Sequence, residues 1–493
     1  MKIVAGLDVG TTGAKIALYN ENADLLNTYY IEYNITRKAG QHEVDFSVIK
    51  DGVLELLKKA TKEYEITALG VTSFGETFAM LDKDDNILSP SILYTDPRGT
   101  NESLALSNAV GKGKMTLITG VKPHGMYSIS KIMWHKNNTP DLYKKCDKIL
   151  LGEDFIVYTL TGERKISYSL AARVGAFDIE KKCWSDDIFN AAGVDKNLMS
   201  SPAYPGEIAG NITDKIKKEL GIDYDILVVT AYHDQVANMV GSGIFNKDQA
   251  MDGTGTVECV PVILDKKPED LDFYEGGYSV VPYLGDRYAV YAFSFTGGAT
   301  LKWFRDNFAE LETKLAEEEG KNVYAELDSK IKDEPTGILV LPHFAGAATP
   351  YMDLESKAAF VGITLETDKR DIYKALMEGT SYEMLLNFNT MKKHTGEILE
   401  IRATGGGATS DKWLQIKADI LGSEITALKI KEVGAAGVSL IVGHSLGIFG
   451  DIGEAEKKMA PVRQVFKPQK EKTLKYKEYY KKYENLYNAV KSL

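Results

Sequence analysis

Two short turns in the sequence combine an aspartate, glycines and threonines in a pattern that suits phosphate binding. The first is Asp8-Val9-Gly10-Thr11-Thr12, and the second is Asp252-Gly253-Thr254-Gly255-Thr256. Glycine lets a tight turn expose successive backbone N–H groups, and threonine hydroxyls add donors for anionic oxygens. One such turn alone is an ordinary hairpin, but two facing copies could hold a triphosphate from both sides. The repeat therefore predicts a nucleotide-phosphate site.

A strand-like run near the middle of the chain ends in a polar tip that contains an aspartate. Asp234, in Tyr232-His233-Asp234-Gln235, follows the apolar run of residues 226–229. A carboxylate within hydrogen-bond reach of a hydroxyl can accept its proton, so one interpretation is that Asp234 acts as a general base. The alternative is that Asp234 caps a helix. His233 is the second candidate for the base, because a histidine without an acidic partner in the sequence more often packs in the interior or orients a neighbouring side chain.

A third glycine cluster, Thr404-Gly405-Gly406-Gly407-Ala408, precedes a segment with helical apolar spacing, residues 411–422. It predicts either a close strand-to-helix turn or a bare stretch of backbone that admits a flat adenine. The sequence has no GxxxxGK[ST] stretch, and no GxGxxG with its strand and acidic partner. Walker-type and Rossmann sites are therefore disfavoured.

Strand and helix signals alternate along the chain and predict an α/β fold. Residues 3–4 and 16–18 flank the first turn as a hairpin, and residues 53–57 have helical spacing. Because the Asp, Gly, Thr pattern recurs before a second β-rich segment, we expect two related domains with a nucleotide cleft between them. The predicted domains are residues 1–246 and 247–493. Residues 433–450 are predicted to form a buried helix packed tightly against backbone.

Size and charge restrict the classes of partner. With 493 residues, the chain is too long for one ordinary core, which favours two domains. Its net charge of -11 argues against nucleic acid or a membrane surface as partner, since both need a positive field. The three cysteines are too far apart to indicate a disulfide framework or a zinc site. The N-terminal residues lack a signal-peptide pattern, so we expect a cytoplasmic protein.

The three glycine clusters, in this order, resemble the FGGY family of carbohydrate kinases within the actin, Hsp70 and sugar-kinase superfold. The resemblance covers nearly the whole chain. It includes Lys131 and Trp134 of the family's first signature and residues 358–379 of its second, with His135 and Leu376 as departures. It implies two ribonuclease H-like (actin-like ATPase) domains, and ATP-dependent transfer of a phosphoryl group to a hydroxyl of a small sugar or polyol.

The resemblance also implies roles for individual residues. ATP would be the phosphoryl donor with Mg²⁺, Asp8 would organise the metal, and Asp234 would be the general base. The acceptor would be bound by Glu76, Thr77, Asp96, Met126 and Gln235, although Asp96 alternatively starts a turn at Pro97. The nucleotide would be bound by Gly10, Thr11, Thr12, Lys15, Gly253, Thr254, Gly298, Lys302, Gly406, Gly407 and Asp411.

Several acceptors and one other class of protein remain as alternatives. A ketopentose such as xylulose or ribulose is favoured over a C4 or C5 polyol or an autoinducer-like dihydroxy ketone. Glycerol kinases carry Arg-Glu-Thr where this chain has Gly75-Glu76-Thr77, and the Gln-Met-His-Gly type of loop of xylulokinases does not match either. The other class is an actin-like or Hsp70-like ATPase acting on protein partners. A non-catalytic sugar sensor is disfavoured by the intact Asp8 and Asp234, and a homodimer is left open.

Overall fold

The computed structural model describes residues 1–33, 36–38 and 41–492. The chain divides into two compact units, each assembled from separate stretches of sequence. Unit 1 contains residues 1–243, 280–289 and 432–460, and unit 2 contains residues 244–279, 290–431 and 461–493. The division into domains at residue 246 stays a prediction. Within the described residues, no helix has both the length and the apolar character needed to cross a bilayer.

Twenty-four strands are assigned among the described residues. In chain order they are β1 Ile3–Val9, β2 Gly13–Asn20, β3 Leu25–Glu32, β4 Thr36–Lys38, β5 Gln41–Val44, β6 Ala68–Ser73, β7 Phe78–Leu81, β8 Ser91–Ile92, β9 Lys148–Leu151, β10 Lys165–Ser167, β11 Phe177–Asp178, β12 Cys183–Trp184, β13 Ser201–Ala203, β14 Ile208–Asn211, β15 Leu227–His233, β16 Gln249–Thr254, β17 Glu258–Leu264, β18 Ser279–Pro282, β19 Tyr288–Ser294, β20 Leu339–Leu341, β21 Ala359–Val361, β22 Glu400–Thr404, β23 Glu424–Leu428 and β24 Val462–Phe466.

Twenty α-helices are assigned in the same described part of the chain. They are α1 Phe46–Thr61, α2 Thr100–Val110, α3 Lys112–Thr119, α4 Ser128–Asn138, α5 Pro140–Tyr143, α6 Gly152–Thr161, α7 Tyr168–Ala171, α8 Asp186–Ala192, α9 Asp214–Leu220, α10 Asp234–Gly241, α11 Leu271–Glu275, α12 Gly298–Phe308, α13 Glu310–Glu318, α14 Val323–Ser329, α15 Lys369–Thr395, α16 Asp411–Leu421, α17 Val433–Ser445, α18 Ile452–Met459, α19 Lys470–Tyr483 and α20 Leu486–Val490.

Unit 1 is built on a six-stranded sheet in the order β14-β15-β6-β1-β2-β3. The first glycine turn joins β1 and β2 as an antiparallel hairpin, as the sequence predicts. Strands β15, β6 and β1 run parallel. Their carboxyl ends therefore lie at one edge of the sheet, where polar groups can be presented without interrupting the ladder.

The seven-stranded sheet repeats this plan in the order β18-β19-β17-β16-β22-β23-β24. The second glycine turn joins β16 and β17 as an antiparallel hairpin, and β16, β22 and β23 run parallel. An antiparallel strand, β14 in one sheet and β24 in the other, follows the parallel trio. The α/β class and the internal repeat predicted from the sequence are thus confirmed.

Helix α17 packs directly on backbone within unit 1, as its small residues predict. A Cβ atom on Gly437 would lie 1.9 Å from the carbonyl oxygen of Ala237, and one on Gly6 of β1 would lie 1.9 Å from that of Ala435. No side chain fits at such distances. Glycine on both sides lets the helix hold β1 and α10 in place.

Candidate active site

Three acidic side chains lie at or just beyond the carboxyl ends of the three parallel strands of unit 1. Asp8 lies near the end of β1, Glu76 lies three residues beyond β6, and Asp234 comes directly after β15. These strands are neighbours and end at the same edge of the sheet, so the fold brings the three carboxylates together. Asp8 and Asp234 are 226 positions apart in the sequence. The charges of Asp8 and Glu76 are close enough to raise the pKa of Asp234.

Asp234 has the environment of a base that works near neutral pH. Its side chain is half-buried, and Oδ1 lies 3.1 Å from Nε2 of His233. Burial, followed by the charges of Asp8 and Glu76, raises its pKa to about 7, against a backbone hydrogen bond from Gln235 and the charge of Arg173. Asp234 begins α10, but its side chain does not cap the helix, since residue 233 is the N-cap.

The imidazole of His233 lies beside Asp234 in its neutral form. Burial, reinforced by the positive charge of Arg173, holds the pKa of His233 well below its usual range. Its backbone N–H donates to Oγ of Ser169 at 3.0 Å, which fixes the end of β15. The imidazole is therefore an uncharged neighbour of the candidate base.

Asp8 is a partly buried carboxylate in a mixed charge environment. Burial raises its pKa to about 6, while Lys15 lowers it and Glu432 raises it. Lys15 and Glu432 form an ion pair with Nζ and Oε2 2.9 Å apart. A Cβ on Gly434 would lie 2.8 Å from Oδ2 of Asp8, so the first turn of α17 approaches this carboxylate closely. Glu432 was missed because it lies more than 400 residues from Asp8.

The turn between β1 and β2 presents the other predicted phosphate ligands of unit 1. Its closure is a hydrogen bond from the N–H of Gly10 to the oxygen of Gly13 at 2.9 Å. The Tyr33 hydroxyl donates a hydrogen bond to the Gly10 oxygen. Thr11 is half-buried and Thr12 is exposed, so both are accessible to a ligand.

Glu76 is held by an arginine that the sequence did not single out. Nε of Arg173 donates to Oε1 of Glu76 at 2.6 Å, and Glu76 has a φ of 65°. A Cβ on Gly75 would lie 3.1 Å from both Cγ of Arg173 and Nε2 of His233. Glycine at position 75 thus makes room for Arg173 beside Glu76. An arginine therefore contacts Glu76 although position 75 is glycine.

The remaining acceptor candidates differ in how much of their polar surface is free. Both carboxylate oxygens of Asp96 accept hydrogen bonds from the Arg98 guanidinium at 2.8 Å, and one also accepts from the His42 N–H. Asp96 therefore has the turn-forming contacts of its alternative role. Oγ1 of Thr77 is buried and has no hydrogen-bond partner among the described residues, whereas Met126 and Gln235 are half-buried.

Unit 2 brings the other glycine clusters together. The N–H of Gly298, at the start of α12, donates to the oxygen of Gly255 at 2.8 Å. A Cβ on Gly405 would lie 2.6 Å from the oxygen of Thr254, and one on Gly407 would lie 2.7 Å from its Cβ, whereas Gly406 faces open space. The clusters predicted to bind nucleotide thus form one surface of exposed backbone.

A buried ion cluster supports this surface from below. Nζ of Lys417 lies 2.5 Å from Oδ2 of Asp252 and 2.8 Å from both Oε1 of Glu258 and Oγ1 of Thr254. Burial raises the pKa of Glu258, while the two carboxylates keep the pKa of Lys417 raised despite its burial. The hydroxyl of Thr254 is engaged in this cluster.

The last two nucleotide candidates are exposed and ion-paired. Nζ of Lys302 lies 2.5 Å from Asp306, one turn along α12. Asp411 is the first residue of α16, and its Oδ1 lies 2.8 Å from Nη1 of Arg463. Either pair can open at little cost, because exposed ion pairs contribute about 0–1 kcal/mol. Their nucleotide roles stay predictions.

The site is compatible with a magnesium ion bound jointly by a protein carboxylate and by nucleotide phosphates. No group of three or more His, Cys, Asp or Glu side chains in the described ranges is arranged to hold a metal. Mg²⁺ commonly keeps several waters and binds through one or two carboxylates plus substrate phosphates. A bound cation would favour the ionised form of Asp8, which burial disfavours, so Asp8 is the carboxylate that would hold the ion.

Family comparisons cover most of both halves of the chain. The model for the N-terminal domain of the FGGY family of carbohydrate kinases matches residues 3–241. The model for the C-terminal domain of the same family matches residues 253–446.

Individual relatives are similar along nearly their whole length. A xylulose kinase of Staphylococcus xylosus is 25% identical over 495 residues, covering 99% of this chain and 100% of the relative. A gluconokinase of Bacillus subtilis is 26% identical, covering 90% of this chain and 87% of the relative. The ligand-bound crystal structure of a xylulose kinase from Lactobacillus acidophilus superposes with a TM-score of 0.90 at 24% identity, covering 99% of this chain and 98% of that one.

Proposed function

Because the chain belongs to the FGGY family of carbohydrate kinases, we propose that it transfers the γ-phosphoryl group of ATP to a hydroxyl of a ketopentose, with Asp234 as the general base. The enzyme is a sugar kinase. The identity of the acceptor, the roles of individual residues, Mg²⁺ as the metal and a cytoplasmic location are our proposals.

One observation carries the assignment of the base. Asp234 stands beside Asp8 and Glu76 at the carboxyl edge of the parallel strands, and its pKa is raised to about 7. A base is most effective when its pKa lies near the working pH, and general base catalysis typically contributes about 10²–10⁴-fold to rate. Asp234 can hold the acceptor hydroxyl and accept its proton as the bond to phosphorus forms.

The neighbouring residues have supporting roles in this proposal. Neutral His233 orients Asp234 and places no positive charge beside it. The Arg173–Glu76 pair binds acceptor hydroxyls through a fixed array of donors and acceptors. Mg²⁺, when bound with ATP, neutralises charge on the β- and γ-phosphate oxygens. Asp8 would be the residue that holds it. The glycine turns bind the phosphates through backbone N–H groups.

A ketopentose is proposed because several similar proteins, including those of Staphylococcus xylosus and Lactobacillus acidophilus, are named xylulose kinases. Gluconate and glycerol are the competing acceptors, since a gluconokinase and a glycerol kinase are similar to this chain at 26% and 27% identity. All three are polyhydroxylated, and the Glu76–Arg173 pair suits vicinal hydroxyls.

The acceptor proposal is tested by measuring ADP release with MgATP and a panel containing xylulose, ribulose, gluconate, glycerol and erythritol. We expect kcat/KM for xylulose or ribulose to exceed the others by at least tenfold. A higher value for gluconate, glycerol or erythritol would overturn the ketopentose assignment while leaving the kinase intact. Stimulation by none of them, with stimulation by a protein partner, would contradict the proposed reaction.

A further inference from the structure

The strand that leads to Asp234 is irregular. The pairing of β15 with β6 changes register between Thr230 and Tyr232, which leaves Ala231 as an extra residue in a β-bulge. Bulges are frequent beside active sites, because one extra residue shifts the alternation of the side chains that follow it and so changes their direction. Asp234 comes three residues after Ala231, so the shape of the bulge helps to determine where the carboxylate of Asp234 lies.

A buried carboxylate, that of Glu153 in α6, holds the bulge. Its Oε1 accepts a hydrogen bond from the N–H of Ala231 at 2.9 Å. Its Oε2 accepts from the N–H and from the hydroxyl of Ser167, at 3.2 and 2.6 Å. All three residues are fully buried. Three donors around one carboxylate match its ionised form, which only accepts hydrogen bonds. Glu153 therefore ties the bulge of β15 to the last residue of β10.

Two further side chains hold the peptide groups that follow the bulge. The hydroxyl of Thr72, on the adjacent strand β6, donates to the oxygen of Tyr232 at 2.5 Å. The hydroxyl of Ser169 accepts from the N–H of His233 at 3.0 Å. The backbone that leads into Asp234 is thus anchored by a buried side chain at each of three successive residues. Locked supporting contacts of this kind are what keep a catalytic group in its productive position.

The next residue of α6, Asp154, offers an internal comparison. It is as fully buried as Glu153, and burial raises the pKa of both carboxyl groups. Its hydrogen bond, however, leads away from β15, because its Oδ2 accepts from the hydroxyl of Ser200 at 2.6 Å. The two acids thus share burial and helix but differ in the element that they hold.

From these contacts we propose that Glu153, with Thr72, is a positioning residue for phosphoryl transfer: it holds the bulge at Ala231 and thereby directs the Asp234 carboxylate toward the acceptor hydroxyl. The inference rests on the proposed role of Asp234 as the general base. Because Glu153 is fully buried, it acts through the backbone of β15 and not by contact with a substrate. A displacement of about 1 Å at a reacting group can lower a rate by about 10²-fold, so a remote residue that sets this position can control kcat.

The test compares Glu153→Met with Asp154→Leu in the full-length protein, assayed with MgATP and xylulose, or with the acceptor of the panel that has the highest kcat/KM. At pH 8 the Glu153 carboxyl, whose pKa burial raises to about 7, is ionised in the wild type. Each variant replaces a buried carboxylate by an apolar side chain of similar size. We expect Glu153→Met to lower kcat at least about tenfold while KM for MgATP stays within about twofold, because the turn between β1 and β2 is unchanged.

Two further variants separate this effect from a general loss of stability. Asp154→Leu should keep kcat within about threefold of the wild type, even where its melting temperature falls as far as that of Glu153→Met. Glu153→Gln keeps an oxygen that can accept from the N–H of Ala231, so its kcat should also stay within about threefold. An equal loss of kcat in Asp154→Leu and Glu153→Met, or an unchanged kcat in Glu153→Met, would overturn the proposal.

The double variant Glu153→Met with Asp234→Asn shows whether Glu153 acts through Asp234. Once the base is absent, loss of Glu153 should lower the residual transfer rate by less than about twofold. A second tenfold loss would refute the positioning role. Near-normal transfer in Asp234→Asn alone would instead show that the base is wrongly assigned, and the inference about Glu153 would fall with it. Loss in Asp234→Asn without loss in Glu153→Met refutes only the role of Glu153.

Thr72→Val keeps the test decisive if Glu153→Met does not fold. It removes the hydroxyl that holds the Tyr232 oxygen and retains the branched shape of the side chain. We expect it to lower kcat at least about threefold in the presence of Asp234 and to have no effect in the Asp234→Asn background. A wild-type kcat in Thr72→Val would contradict the proposal that the anchored bulge positions Asp234.

Discussion

Asp234 combines a half-buried carboxylate with two acidic neighbours, and this combination has a stability cost that is linked to its function. Burial and the charges of Asp8 and Glu76 disfavour its ionised form. The same repulsion places its pKa where proton acceptance from a hydroxyl is effective. Functional carboxylates of this kind are expected to be sites of local instability.

The pH dependence of kcat/KM follows from the two raised carboxylates. A general base must be ionised, so activity should fall as pH decreases through the pKa of Asp234, about 7. Protonation of Asp8, with a pKa of about 6, should steepen the fall at lower pH. The measurement is kcat/KM between pH 5.5 and 8.5 at fixed ionic strength. A profile that stays level across this interval would contradict both assignments.

The same pKa shift predicts a pH-dependent gain of stability in Asp234→Asn. The folded-state pKa is raised from 3.8 to about 7, so the wild type loses stability as pH rises between these values. Asparagine does not titrate, and we expect its advantage in melting temperature to grow from pH 4 to pH 8. Asp223→Asn, on the exposed segment before β15, is the control and should show no such trend. An advantage that shrinks with increasing pH would refute the predicted burial cost.

Functional residues could be predicted from the sequence where a short local pattern identified them. The side chains that contact them could not be predicted. Asp8, Asp234 and the glycine turns have local signatures. Arg173, Glu432 and Lys417 have none: each reaches its partner across 97, 417 and 159–165 positions respectively. Such pairings depend on strand order and helix packing, which a single sequence does not specify.

At the scale of elements, the close approach of α17 to its neighbours depends on glycine. A methyl group at Gly437 would meet the Ala237 oxygen at 1.9 Å, and backbone cannot yield as a flexible side chain can. We expect Gly437→Ala to destabilise unit 1 by at least about 1–3 kcal/mol, the usual cost of overpacking. Gly450→Ala, which meets no atom within 4 Å, is the matched control. Urea denaturation of both variants measures the difference, and equal midpoints would contradict the packing.

The ion cluster under the second glycine turn should be essential to unit 2. Lys417→Met would leave Asp252 and Glu258 buried without their cation, and breaking a buried pair typically costs about 3–5 kcal/mol. Lys412→Met, on the exposed face of the same helix, should have little effect.

The double variant Lys417→Met with Glu258→Gln should be less destabilised than the sum of its single variants, because it removes one of the two repelling carboxylates. Chemical denaturation measures all four proteins. Additive losses would show that Lys417 does not stabilise Glu258.

The elements themselves were largely predictable. Alternating apolar residues identified the hairpin of β1 and β2, and small residues identified α17 as tightly packed. In the C-terminal helix α19, Tyr476, Tyr480 and Tyr483 recur at helical spacing and are buried. Residues 310–332, which are rich in Glu, Lys and Leu, form two helices, α13 and α14, because Gly320 with a φ of 63° follows the end of the first.

At the scale of the whole molecule, the two sheets are variations of one plan. Each has a hairpin whose first strand joins a parallel trio, followed by an antiparallel strand. The repeated turn alone suggested this duplication. The discontinuous composition of the units was not predictable, because residues 432–460 join unit 1 through long-range contacts such as the packing of α17 and the Lys15–Glu432 ion pair.

A fold alone does not establish an activity, so it does not by itself separate a sugar kinase from the alternative of an ATPase acting on protein partners. The match of residues 3–241 and 253–446 to the carbohydrate-kinase family confirms the kinase. Whether Asp234 acts as the general base has to be tested by experiment.

The most direct measurement is the rate of acceptor phosphorylation by Asp234→Asn and Asp234→Ala, with ATP affinity measured in parallel. Both variants should bind MgATP within about threefold of the wild type, and transfer should fall by at least about 10²-fold, the low end of general base catalysis. Transfer at a near-normal rate in either variant would contradict the assignment of Asp234 as the general base of phosphoryl transfer.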